Sequence, residues 1–74
     1  MTLADIKGRT LAAHQDGHIS WDVAKRVLLD VDRLRRLDGP LGDRVVANYC
    51  AEVGDMLDVI GETVAAINAK QVTA

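Results

Sequence analysis

The chain has 74 residues, a net charge of −2 and a single cysteine. That length allows one domain, spanning 1–74. The charge does not suit a protein that coats nucleic acid, and one cysteine excludes an internal disulfide and any cysteine-based zinc motif.

Apolar residues make up 49% of the chain, too many for a disordered segment. Charges still interrupt them before any run nears the ~18 residues of a membrane span, so no membrane partner is expected. Aromatic residues reduce to Trp21 and Tyr49, and no stretch alternates with period two. The expected fold class is therefore all-α. Met1-Thr2-Leu3-Ala4-Asp5 shows neither a basic nor an apolar signal region, and with a free cysteine this points to the cytoplasm.

The first helix is predicted over 3–15. Thr2 followed three residues later by Asp5 has the form of a capping box. Leu3, Ile6, Thr10 and Ala13 recur at helical spacing, although Gly8 costs about 1 kcal/mol relative to alanine. Gly17 supplies a left-handed stop.

The second helix is predicted over 21–37. Ser20 is its N-cap, Asp22 suits the positive helix end, and Ile19 is placed to pack on Ala24 as a staple. Val23, Ala24, Val27, Leu28, Val31 and Leu34 form one face. Lys25, Asp22, Arg26, Arg33 and Arg36 lie opposite, with Asp22/Arg26 and Asp32/Arg36 spaced as i,i+4 pairs. Leu29 falls off the apolar stripe and hints at a second contact surface. Asp38-Gly39-Pro40 ends the helix.

The third helix is predicted over 43–70, capped by Asp43 after a Leu41-Gly42 turn. Val46, Val53, Ile60 and Ile67 recur every seven residues, with Cys50, Leu57 and Val64 between them. Read as heptads, the first set occupies d and the second a. Ala47, Gly54 and Gly61 repeat small residues along one edge of this seam. Two interior glycines cost about 2 kcal/mol together, so close packing of another helix there is a natural compensation.

Helix lengths argue for a helical-bundle homodimer. The third helix would be about 40 Å long and the second about 25 Å. An antiparallel hairpin of the two leaves the end of the seam bare, and the first helix offers only Leu3, Ile6 and Leu11 to cover it. A domain this small also gains from a second subunit, and two-fold dimers are the commonest. The expected dimer interface is Val46, Cys50, Val53, Gly54, Leu57, Ile60, Gly61, Val64 and Ile67, with the two copies antiparallel.

Other candidate sites are weaker. Cys50 lies within the seam and reads as a small core residue more than a nucleophile. His14-Gln15-Asp16-Gly17-His18 holds three possible ligands, but Gly17 separates the histidines and a fourth ligand is missing, so no metal or other cofactor is expected. Glu52, Asp55, Asp58 and Glu62 line the outer face of the third helix with no lysine or arginine between Arg44 and Lys70. This strip, with Trp21 and Leu29, is the expected surface for a larger protein. Phosphate loops, catalytic triads and dinucleotide motifs are absent.

The functional expectation is a non-enzymatic interaction module, a small dimer that inhibits or recruits a larger protein. In size and style the chain resembles the short helical accessory proteins by which phages and mobile elements inhibit host systems, which would place it in a host cytoplasm. Two alternatives carry forward: a small DNA-binding regulator using the basic second helix, although nucleic acid is not the expected partner, and an assembly or chaperone-like subunit of a larger complex.

Overall fold

The structure, a computed structural model, describes residues 1–73, with side chains through Lys70. Three helices account for it: α1 (Leu3–Gln15), α2 (Trp21–Leu34) and α3 (Gly39–Thr73), with no strand among the described residues. The all-helical expectation holds.

Local capping explains the first two boundaries. Thr2 and Asp5 close a reciprocal box: the Asp5 N–H donates to Thr2 Oγ1 at 3.2 Å and the Thr2 N–H donates to Asp5 Oδ2 at 2.9 Å. At the other end of α1, Gly17 has φ +78°. Its N–H donates to the His14 carbonyl and the His18 N–H to the Ala13 carbonyl, which satisfies two of the helix's terminal acceptors in a Schellman arrangement. Ser20 caps α2 by accepting the Val23 N–H at 3.3 Å.

The α2–α3 junction differs from the sequence expectation of 21–37 and 43–70. α2 ends at Leu34, and the Arg36 and Leu37 N–H groups donate to the Arg33 and Leu34 carbonyls in tight turns. α3 begins at Gly39, not at Asp43. Two contacts give the reason. Gly39 has φ +79° and its N–H is held by Asp38 Oδ1 at 3.1 Å, which leaves Pro40 in the first turn, where a missing N–H costs nothing. Gly42 is buried under Leu37, and a Cβ there would lie 3.1 Å from the Leu37 Cβ. The chain turns early so that Leu37 can rest on this first turn of α3.

α1 is the packing centre. It contacts both α2 and α3, while those two meet each other sparsely. The expected α2–α3 hairpin is therefore not the organising unit. Ile6, Val27, Val31 and Cys50 form the core, with Leu3, Val46, Tyr49 and Val53 packed against it. Thr10 is also fully buried and donates its hydroxyl to the Ile6 carbonyl at 2.7 Å. Burying a hydroxyl is expensive only when it lacks a partner, so Thr10 fits a face that Leu11 does not join.

The molecule measures 53 × 19 × 14 Å. A helix of 35 residues is about 52 Å long, so the long dimension is α3 itself. The core sits on its N-terminal half.

Candidate functional site

The seam of α3 divides into a covered part and a bare part. Cys50, Gly54 and Leu57 are buried within the single chain, and Val46 and Val53 are half-buried. Cys50 is 3% exposed and lies among Ile6, Val27 and Val31. The small-residue edge is used here: a Cβ on Gly54 would lie 3.1 Å from the Met1 sulfur and 3.7 Å from Arg9 Nη1. Arg9 reaches further and pairs with Asp58. This part of the expected dimer interface is thus occupied by the chain's own α1 and α2.

Beyond Asp58 no side-chain hydrogen bond or ion pair to another helix is described, although Ala69 and Lys70 make interactions of their own. From Glu62 to Lys70 every residue except Val64 is exposed. Ile60, Gly61 and Val64 are half-buried, Ile67 is 51% exposed and Val59 59%. Nothing lies within 4 Å of the position a Cβ would take on Gly61. The result is an apolar helical arm with an open notch on one side. Thr63, on this arm, donates its hydroxyl to the Val59 carbonyl at 2.8 Å and so stays within its own helix.

The acidic strip is exposed as expected at Glu52, Asp55, Asp58 and Glu62. Asp58 is the exception in its partnering, since Arg9 holds it. A separation of 49 residues hides that pair from any spacing argument.

On α2 the i,i+4 pairs read from sequence, Asp22/Arg26 and Asp32/Arg36, do not form. Asp32 lies 3.9 Å from Arg35 instead. Asp30 accepts the Tyr49 hydroxyl at 3.4 Å, and burial, with the Asp30 charge second, pushes the Tyr49 phenol up to about 12. Lys25, Arg26, Arg33 and Arg36 are exposed, and none has a carboxylate within ion-pair distance among the described residues. Leu29 is 53% exposed in their midst.

Trp21 is equally exposed, and its ring meets His14 at a centroid distance of 5.4 Å. His14 Nδ1 lies 3.2 Å from the Ile19 carbonyl oxygen. The indole therefore contacts the end of α1 and still presents more than half its surface outward. His18 sits apart in the turn, and no three His, Cys, Asp or Glu side chains converge as metal ligands among the described residues. No described helix is long and apolar enough to cross a membrane.

The depressions on these surfaces are shallow and lined largely by charged side chains, as on α2 by Asp22, Lys25, Arg26, Leu29, Asp30 and Arg33, and suit contact with other helices better than enclosure of a small molecule. Comparison with known proteins finds no matching family model, no matching curated protein and no matching solved structure.

Proposed function

We propose that this chain is a non-enzymatic interaction module that pairs with a second copy through the C-terminal arm of α3 and acts as an inhibitor or adaptor of a larger protein. The bare apolar arm carries the reading. A helix whose outer half has no tertiary cover gains little from its own fold, because most helical stability in proteins comes from packing an amphipathic face. An antiparallel copy of the same arm would set Ile60 beside its equivalent and lay Val64 and Ile67 along the partner arm, with Gly61 near the crossing point where the backbones approach.

Antiparallel pairing about Gly61 also keeps Asp55 about 18 Å along the axis from its equivalent, at 1.5 Å rise per residue, where a parallel pair would set the two level. Like charges so placed oppose association. Trp21 and the charged faces of α2 and α3 stay outside the arm contact and are the surfaces left for docking. The accessory proteins that phages and mobile elements use against host systems are of this size and style, and the chain is proposed to work in that manner.

Sedimentation equilibrium in about 0.5 M salt, where the Debye length falls to a few ångström, tests the arm. The wild type should run at twice the 8.0 kDa chain mass at micromolar concentration. Ile60→Asp/Val64→Asp should run as single chains with helicity kept. A wild type that is itself a single chain contradicts the reading.

A further inference from the structure

Two of the exposed faces match each other. On α2, Arg26 and Arg33 stand seven residues apart with Leu29 between them; on α3, Asp55 and Glu62 stand seven apart with Val59 between them. Seven residues rise about 10.5 Å on either helix, two turns along the same line. One face reads cation, apolar, cation; the other reads anion, apolar, anion.

All six residues are exposed. Neither arginine and neither carboxylate has an ion-pair partner among the described residues. Of the α2 carboxylates, Asp30 accepts the Tyr49 hydroxyl and Asp32 lies toward Arg35, while Asp22 shares the face with the arginines but forms no ion pair with them. The α2 face also carries a depression of about 320 Å³ lined by Asp22, Lys25, Arg26, Leu29, Asp30 and Arg33, three cations against two carboxylates. Within one chain the two faces cannot meet, because α2 packs inward through Ala24, Val27 and Val31 on its opposite side.

We infer that α2 of one copy docks on the acidic strip of α3 of a second copy, with Arg26 and Arg33 against Asp55 and Glu62 and with Leu29 against Val59. This deepens the proposed reading by naming a partner for two of its docking faces, and it rests on that reading only for the premise that those faces dock. The contact is distinct from the arm contact. It depends on charge, so salt weakens it, whereas the apolar arm is insensitive to screening. Four desolvated charges arranged in register would set orientation and speed encounter more than they add affinity. Trp21 lies outside both contacts and remains for a foreign target.

Charge reversal with mixing tests the inference on full-length chains. One variant carries Arg26→Glu/Arg33→Glu, the other Asp55→Lys/Glu62→Lys. Each places like charges on both faces, so each alone should lose at least about tenfold in the salt-sensitive part of self-association, read by light scattering at about 50 mM and 0.5 M salt. A one-to-one mixture should restore it, because the reversed α2 face of one variant then meets the reversed α3 face of the other, and their two unaltered faces also match in opposite sign. Circular dichroism of each variant, unchanged for these surface positions, controls for folding.

The inference is overturned if the wild-type mass is the same at both salt concentrations, or if the mixture stays at the mass of its components. It is also overturned if the wild type shows no salt-sensitive self-association and the arginines serve only to bind duplex DNA, with binding lost in Arg26→Glu/Arg33→Glu. The arm contact is read separately, by Ile60→Asp/Val64→Asp at high salt, so failure of one contact leaves the other measurable.

Discussion

Gly54 and Gly61 sit seven residues apart on the same helix and meet different surroundings: a Cβ on Gly54 would touch the Met1 side chain at 3.1 Å, whereas one on Gly61 would meet nothing within 4 Å. Alanine at either position should gain about 1 kcal/mol of helix propensity. At Gly54 the gain is offset in part, since the Met1 thioether must shift, but that side chain is flexible and 62% exposed. Gly54→Ala should therefore leave thermal stability equal or slightly higher, with association unchanged. Gly61→Ala should raise the stability of the single chain and weaken pairing of the arms. Thermal melts run across a concentration series separate the two effects; a Gly61→Ala protein that pairs as tightly as the wild type would show that the crossing point lies elsewhere.

The core predicts a steep contrast. Ile6 is fully buried and Leu29 is more than half exposed. Ile6→Ala should cost about 2–5 kcal/mol, a large share of what a domain this small holds, and urea unfolding should show much of the chain already unfolded at zero denaturant. Leu29→Ala should stay within about 0.5 kcal/mol of the wild type in the same assay. A tolerant Ile6 would mean that α1 does not anchor the fold.

Much of this layout is legible in the sequence because its signals are local. Thr2 with Asp5, Ser20 and Gly17 act within a few residues of themselves, and all three fix helix ends where spacing places them. Periodicity likewise finds Ala24, Val27, Val31 and Cys50 as inward positions. What spacing misses is set by tertiary approach. The early end of α2 follows from Leu37 packing on Gly42, five residues ahead. Thr10 falls at helical spacing with Leu3 and Ile6, but spacing does not show that its hydroxyl is satisfied inside by its own helix carbonyl, which lets α1 take the central place. The occupant of the Gly54 notch and the Arg9–Asp58 pair join segments far apart in the chain, and no local pattern encodes them.

That ion pair should contribute little. Both partners are partly solvated, at 34% and 58% side-chain exposure, and exposed pairs couple by roughly 0.2–1 kcal/mol. A double-mutant cycle with Arg9→Ala and Asp58→Ala should return a coupling energy in that range, smaller in high salt. A coupling well above it would mean the pair is shielded from water, as it would be beneath a docked second copy.

Tyr49 gives a pH signature of the α2–α3 contact. Its phenol is pushed up from 10.0 to about 12, first by burial and then by Asp30. A raised folded value means the folded state holds its proton after the unfolded chain has lost it. The contribution to stability is thus fully present below pH 10 and falls as pH rises from 10 toward 12. Phenolate absorbance should titrate late in the wild type and earlier in Asp30→Asn, yet still above 10.0, since burial persists. A wild-type midpoint at 10.0 would show that Tyr49 is solvated.

The central claim, antiparallel pairing of the arms, is tested most directly by spin-label distances between copies in a Cys50→Ala background. Thr63 is a suitable label site because its hydroxyl bonds only to its own helix, and Val45, 48% exposed, marks the other end of α3. With Gly61 near the crossing point, labels at 63 should lie within about 20 Å of each other and labels at 45 about 50 Å apart, at 1.5 Å rise per residue. Short distances at both positions would make the pair parallel, and no dipolar coupling at 63 would mean the arms do not pair; either result contradicts the account.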